Sequence, residues 1–445
     1  MGRLFGTDGF RGLANSVVTA EAALSLSVSA AHVVAEAGAG NRPLTIVGRD
    51  PRASGEFLES AVVAGLASAG ADVLRLGIIP TPGVAFLMQA LSADLGVMLS
   101  ASHNAMPDNG IKFFDREGSK LADTVEDAIE ARMSEPWTRP TGADVGRVTD
   151  AIDLVDRYVD HVLTALTHRL DGLTVVVDCA HGAAWYVAPE ALRRAGATVI
   201  AVAAEPDGHN INDGVGSTHI DALAKLVVES GADVGIAHDG DADRCLAVDA
   251  NGQIVDGDAI LAICAVAMRD AGTLAGNEVI TTVMTNLGFK HAMAAHGIAV
   301  QQTAVGDRYV LEAMKASGAR LGGEQSGHVI FLDHATTGDG VVTALSLLSR
   351  MAQTGKSLAE LAAVMQRLPQ VLINIRVADN SALRTSAEIA DVIAAVEAEL
   401  ADSGRVLVRP SGTEPLVRVM VEAQTEEQAN NAARRIADVV RRVLG

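Results

Sequence analysis

Short apolar runs at 44–47, 73–76, 95–99, 173–177, 199–203 and 234–237 punctuate the first half of this chain, separated by Ala- and Leu-rich stretches at helical spacing such as 55–69. Runs this short and continuous are strands buried on both faces. Their alternation with helices dictates a layered α/β architecture, in which functional loops gather at the carboxyl ends of the strands. At 445 residues the chain exceeds what one compact core can hold, so several domains are expected. A segment at 134–146 has two prolines, two glycines and no periodicity, and reads as a linker. A second α/β series starts at 151 and a third near 252, with strands at 279–282, 299–303 and 319–321. The tail changes character. Its runs at 371–377, 405–408 and 416–423 alternate like antiparallel strands, and a helix over 425–444 begins with Thr425 and Gln428 at capping-box spacing.

Composition narrows the function classes. Apolar residues make up 49% of the chain and charged residues 20%, a folded, soluble composition. The formal charge is −20 and no segment carries a basic stripe, so nucleic acid is not an expected partner. An acidic protein that binds phosphate has to concentrate arginine locally, which makes arginines beside Gly, Ser or Thr loops informative. The cysteines Cys179, Cys245 and Cys264 are odd in number and form no Cys-x-x-Cys, as expected of reduced thiols in the cytoplasm. The N-terminus does not read as a signal peptide, and no apolar stretch reaches the roughly 18 residues of a membrane span, so no membrane association is expected.

Four loops carry chemistry. Ser102 lies in Leu99-Ser100-Ala101-Ser102-His103-Asn104, just past the 95–99 run. A strand-end serine commonly caps a helix, but Pro107-Asp108-Asn109-Gly110 follows, a loop rather than a helix start. The surroundings are not Gly-x-Ser-x-Gly, which disfavours a hydrolase elbow. Lys112 is near enough in sequence to return its ammonium to this loop. Asp239-Gly240-Asp241-Ala242-Asp243-Arg244 directly follows the 234–237 run. Three carboxylates so close repel one another unless a divalent cation intervenes. An EF-hand is excluded, because Arg244 stands at loop place six and Ala250 at place twelve. Hard carboxylate oxygens with room for a phosphate suit Mg²⁺. Gly322-Gly323-Glu324-Gln325-Ser326-Gly327-His328 brings a carboxylate, a hydroxyl and an imidazole together, and Glu324 suits sugar hydroxyls. Arg409-Pro410-Ser411-Gly412-Thr413 has the makings of a phosphate cradle. Two Arg/Gly loops, Gly6–Gly12 with Arg11 and Gly48–Arg52, are near-equivalents, and Arg52 reads as a surface arginine. No Walker A loop exists, since Arg350 replaces the first glycine ahead of Gly355-Lys356-Ser357, and no dinucleotide fingerprint is present. A phosphorylated Ser102 is the remaining phosphoryl donor within the chain.

These four loops, in this order along the whole chain, resemble those of the α-D-phosphohexomutases. The Gly-Thr-Asp-Gly-Phe-Arg-Gly start, Asp-Asn-Gly-Ile-Lys-Phe-Phe after the serine, Asn210-Ile211-Asn212 with Gly-Ser-Thr-His, and the Gly-Gly-Glu-Gln-Ser-Gly-His loop are similar to the family's amino-sugar branch. Ala105 and Val215 depart from its usual Pro and Cys, and Ala105 is expected to loosen the serine loop because proline would restrict Asn104. The resemblance implies three similar α/β domains, at 1–146, 147–250 and 251–368, plus a C-terminal α+β domain at 369–445, around a central cleft. It implies reversible conversion of glucosamine 6-phosphate into glucosamine 1-phosphate, a precursor for UDP-N-acetylglucosamine and the cell wall, through phosphoserine and a glucosamine or glucose 1,6-bisphosphate. It further implies that Ser102, Asp239, Asp241 and Asp243 hold one Mg²⁺ and that Arg244 meets the phosphoserine. Glu324 and Ser326 would bind the sugar, and Arg409, Ser411, Gly412 and Thr413 the distal phosphate. Arg11, His103, Lys112 and His328 would serve proton transfer or charge stabilisation, in a monomer or homodimer. A glucose or mannose phosphate mutase, a noncatalytic sugar-phosphate binder and a Mg²⁺-dependent phosphatase are the competing readings.

Overall fold

The computed structural model describes residues 3–6, 8–39, 42–377, 383, 385–410 and 416–445. The chain forms two compact units, one from Met1–Met284 with Ile298–Val364, the other from Thr285–Gly297 with Met365–Gly445.

The first unit contains three sheets. The first has six strands in the order Phe10–Leu13, Asp108–Phe114, Leu95–Leu99, Leu44–Arg49, Asp72–Ile78 and Val148–Asp150. Every residue of Leu95–Leu99 is buried, and the pleat sorts them. Val97 and Leu99 join Val47 and Val73 in a core with Leu26, Leu58 and Leu66 of helices Ala20–Val34 and Ala53–Ser68. Met98 and Ile46 pack instead with Val84, Leu87 and Met88 of helix Thr81–Leu91. Helices on both faces are why these strands read as unbroken apolar runs. The edge strand Val148–Asp150 pairs in parallel with Asp72–Ile78, so the first sheet takes residues beyond the boundary expected at 146. Its three residues are all exposed, which leaves no apolar run to read.

The second sheet runs Ile254–Val255, Leu246–Asp249, Val234–Ala237, Thr174–Asp178, Thr198–Val202, and the third Ala299–Thr303, Glu278–Thr282, Leu321–Gly323, Val329–Phe331. The 319–321 strand expected from the sequence is thus displaced to Leu321–Gly323. Gly322 reads as a turn residue, yet a Cβ there would come 2.6 Å from Met314 Sδ and 2.9 Å from Val310, in helix Asp307–Ser317. The glycine serves close helix–strand packing.

One arrangement recurs. In each sheet a central strand with a parallel neighbour is followed by an antiparallel one, and the connection between them carries a candidate loop. Ser102 lies between Leu95–Leu99 and Asp108–Phe114, Asp239–Arg244 between Val234–Ala237 and Leu246–Asp249, and Glu324–His328 between Leu321–Gly323 and Val329–Phe331.

The second unit holds a three-stranded antiparallel sheet, Gln370–Arg376, Leu416–Glu422, Arg405–Pro410, with helices Ala387–Leu400 and Glu426–Leu444. Thr425 caps the last helix by accepting from Gln428 N at 3.2 Å. Helix Leu287–Ala295 belongs to this unit, where Leu287 N donates to the buried Glu422 at 2.9 Å.

Candidate active site

Ser102 sits at the end of its strand with φ +51°, the left-handed region that a non-glycine residue occupies only when its surroundings hold it there. Its Oγ donates to Asp239 Oδ2 at 2.6 Å and lies 3.3 Å from His103 Nδ1. The Asp loop can come this close because Gly240 has no side chain.

Asp239, Asp241 and Asp243 are all buried, and each offers a carboxylate oxygen within 4.8 Å of the others. Burial, reinforced by its two neighbours, pushes Asp239 up to about 8. Asp241 is held well below the usual carboxylate range in spite of burial, because Lys112 Nζ donates to it at 2.9 Å and Thr81 Oγ at 2.7 Å. Asp241 Oδ1 and Asp243 Oδ1 are buried with no hydrogen-bond partner among the described residues. Two orphaned anionic oxygens converging with a third carboxylate fit a small hard cation.

Cationic groups surround this cluster. Arg244 donates its backbone N–H to Asp239 Oδ1 at 3.3 Å, while its Nε stands 3.9 Å from both Asp239 and Asp243 with no acceptor in hydrogen-bond reach among the described residues. That guanidinium has donors to spare for an anion. Lys112 Nζ is also 3.6 Å from Asp8, which pairs with Arg11 and Lys120, and Lys120 donates to Asp307 Oδ2 at 2.6 Å. Asp307 lies 3.7 Å from His328 Nε2, and His328 Nδ1 lies 3.5 Å from Asp243. The charges therefore form a chain from Asp241 through Lys112, Asp8, Lys120, Asp307 and His328 back to Asp243. Burial opposes a charge on His328, but Asp243 and Asp307 outweigh it and raise it to about 9. Gly338 N, 2.9 Å from Nε2, points the other way by asking for a lone pair there. His103 is lowered to about 4, first by burial and then by Arg244 and Arg11.

Glu324 is half-buried and accepts from Gly306 N at 3.2 Å, and Ser326 Oγ is buried without a partner among the described residues. The first unit thus brings together Ser102, His103, Arg11, Lys112, the three aspartates, Arg244 and His328, and Glu324 adds its charge beside Arg244. Arg409 lies in the second unit, directly across the strand pair from Arg418. Two like charges in register are unfavourable without an anion between them, and burial together with Arg418 lowers Arg409. Ser411, Gly412 and Thr413 fall outside the described residues.

Several residues escaped the sequence reading. Arg52, expected at the surface, is fully buried beneath the serine loop. Its signal was present, an Asp-Pro-Arg just past a buried strand in an acidic protein. Asn212 donates to Ser102 O at 2.8 Å and Asn104 O at 3.0 Å. Thr81, Lys120 and Asp307 act through partners far away in sequence, and nothing local announces them. The loop bearing Ala105 is pinned rather than loose, since Arg52 takes the Ala105 carbonyl at 2.5 Å.

Models of the four phosphoglucomutase/phosphomannomutase domains match this chain in order, the alpha/beta/alpha domains I, II and III at 2–138, 156–252 and 256–368 and the C-terminal domain at 372–439. The chain belongs to the phosphoglucomutase/phosphomannomutase family. Within that family it is 67% identical to a phosphoglucosamine mutase of Streptomyces griseus subsp. griseus, with 100% of both chains covered, and further relatives of that name extend to 62% identity over nearly the full length. Like them it is an isomerase of the phosphotransferase kind. Its fold matches that of a family member from Burkholderia thailandensis with a TM-score of 0.82 at 24% identity, covering 99% of this chain and 97% of the other. It also matches an N-acetylphosphoglucosamine mutase of Aspergillus fumigatus, solved with GlcNAc-6P and magnesium, with a TM-score of 0.67 at 18% identity over 99% and 96% of the two chains. No helix among the described residues is long and apolar enough to cross a membrane.

Proposed function

We propose that the protein interconverts α-D-glucosamine 6-phosphate and α-D-glucosamine 1-phosphate, with Ser102 as the phosphoryl carrier. The observation that carries this reading is the Ser102 hydroxyl, 2.6 Å from one of three buried aspartates, two of which keep an unpartnered oxygen. Phosphoserine at that point puts its oxygens beside the carboxylates, a repulsion that only a cation relieves. Asp239, Asp241, Asp243 and an oxygen of phospho-Ser102 would hold one Mg²⁺. When bound, the ion neutralises charge on the phosphoryl oxygens and orients them.

The protein's own groups do the rest. A sugar hydroxyl attacks the phosphorus of phospho-Ser102, the P–Oγ bond breaks, and Oγ keeps its electron pair beside Asp239. Arg244, with uncommitted donors, takes the phosphoryl oxygens. Lys112, clamped between Asp241 and Asp8, supplies positive charge. His103, which burial keeps neutral 3.3 Å from Ser102 Oγ, is the group placed to accept the hydroxyl proton, and His328, held charged by Asp243 and Asp307, adds positive charge to the site. Glu324 and Ser326 bind the sugar, and Arg409 with the 411–413 loop grips the phosphate that is not reacting. The resulting 1,6-bisphosphate returns its other phosphoryl group to Ser102 after turning over. Sugar phosphates are thus the small-molecule partners. Three buried, unpaired thiols suit a cytoplasmic protein, acting as a monomer or homodimer.

The amino-sugar preference rests on the full-length likeness to proteins named phosphoglucosamine mutase. A coupled assay comparing glucosamine, glucose and mannose 6-phosphates tests it, and a higher kcat/KM for glucosamine 6-phosphate is expected. Equal values for glucose or mannose 6-phosphate would refute it. Intact mass spectrometry of the purified protein should find phosphate on Ser102, and its absence together with absent turnover would favour a noncatalytic binder.

A further inference from the structure

Arg52 belongs to no chemical step described above, and its side chain is wholly enclosed. A guanidinium has five N–H donors in one rigid plane, and here each has an acceptor. Nε donates to Asp50 Oδ2 at 2.9 Å. Nη1 donates to the carbonyls of Ala105 at 2.5 Å and Asp108 at 3.0 Å. Nη2 donates to those of Ser102 at 3.1 Å and Asn104 at 2.8 Å. Four carbonyls of one loop therefore converge on a single side chain, and that loop is the one that bears the phosphoryl carrier. The same ion pair reaches Ser102 from its other side. Asp50 Oδ2 accepts from Ser100 Oγ at 2.7 Å, and Ser100 Oγ in turn accepts from Ser102 N at 2.9 Å. Both backbone polar groups of Ser102 are thus tied, through Arg52 and Asp50, to one buried pair.

We infer that Arg52 is a positioning residue for phosphoryl transfer, holding Ser102 in its left-handed backbone conformation so that Oγ stays aimed at the aspartate cluster whether or not it carries phosphate. This rests on the proposed role of Ser102. The physical argument is one of strain. A serine at φ +51° relaxes toward the right-handed or extended region unless contacts fix it, and either relaxation swings Oγ away from Asp239. Asn212 helps hold the same two carbonyls of Ser102 and Asn104, but it reaches neither Ala105 nor Asp108. Proline at 105 would have stiffened the loop covalently; with alanine there, the Arg52 bond to its carbonyl does that work.

The test uses two variants of the full chain. Arg52→Lys keeps the charge beside Asp50, but an ammonium has three donors at one point and cannot span four carbonyls. Ser100→Ala removes the acceptor of Ser102 N–H together with its bond to Asp50 Oδ2, and leaves the Arg52 guanidinium and its carbonyl acceptors in place. Both should lower kcat, Arg52→Lys by about 10- to 100-fold, the loss that goes with misplacing reacting atoms by about 1 Å. KM for the sugar phosphate should stay within about twofold, because the groups that bind it are untouched. Hydrogen exchange across 102–108 should quicken in both variants while the rest of the first unit stays protected. Wild-type kcat and wild-type exchange in Arg52→Lys would overturn the inference; should that variant not fold, the same result in Ser100→Ala, which cuts the buried pair's hold on Ser102 N–H, would overturn it. Exchange is read independently of turnover, so a wild-type protein that lacks both phosphoserine and turnover would refute the mutase reading while the hold on Ser102 is still judged.

Discussion

Gly240 separates Asp239 from Asp241, and its bare α-carbon faces the serine loop. A Cβ added there would stand 2.5 Å from Ser102 O, 2.8 Å from Asn212 Nδ2 and 2.9 Å from Ile211 Cδ1. Ordinary contact begins at 3.4 Å, so Gly240→Ala has to drive the two loops apart by about 0.9 Å. Opening the 2.6 Å Ser102–Asp239 bond by that amount carries it to the outer limit of a hydrogen bond. An overpacked buried site costs about 1–3 kcal/mol of stability, small for a protein of this size, whereas misplacing the carrier by nearly 1 Å costs about 100-fold in rate. The variant should therefore melt within a few degrees of wild type yet turn over about 100-fold more slowly, equivalent to about 2.7 kcal/mol in the barrier. Gly6→Ala, where the nearest atom to the new Cβ is 3.6 Å away, is the control. Thermal melts with a coupled mutase assay read both quantities. A folded Gly240→Ala protein with wild-type kcat would show that the spacing between serine and aspartate loops does not govern transfer.

Ser102→Ala should abolish turnover and leave the melting temperature unchanged, and residual activity above a tenth of wild type, about 1.4 kcal/mol in the barrier, contradicts the phosphoserine route. Asp241→Asn weakens the hold on a cation and costs Lys112 its carboxylate partner, so half-maximal activity should demand markedly more Mg²⁺; an unaltered Mg²⁺ titration would reduce the cluster to an acidic turn. Arg409→Ala should raise KM by about 10- to 100-fold, the loss of a charge-assisted hydrogen bond of about 1.5–3 kcal/mol, while phosphoserine occupancy by mass spectrometry is unaffected. An unchanged KM there places the distal-phosphate grip elsewhere.

The legible parts of this molecule were those whose chemistry is local. Strands 95–99 and 234–237 coincide with the structure residue for residue, because full burial leaves an uninterrupted apolar run. Ser102 and the three aspartates stood out because close carboxylates after a buried strand have few other uses. What stayed hidden is what depends on approach from a distance. Strand Val148–Asp150 is exposed and has no pattern to show. Leu321–Gly323 was misplaced because packing room for a helix and a turn both call for glycine. Arg52 was misjudged because a composition rule sends arginine outward, and only four carbonyls from another stretch of chain make its burial tolerable.

The cage around Ser102 is assembled from widely spaced stretches of sequence. Asn212 and Asp239 lie 110 and 137 positions beyond the serine they hold, and Asp307, which anchors Lys120, comes 187 positions after that lysine. During synthesis the first sheet can form with Arg52 already under the serine loop, but the aspartates do not yet exist. A ribosome-bound chain stopped before residue 239 would present a shaped serine with nothing to act upon it. Competence as a phosphoryl carrier thus arrives late, when the second and third sheets have emerged.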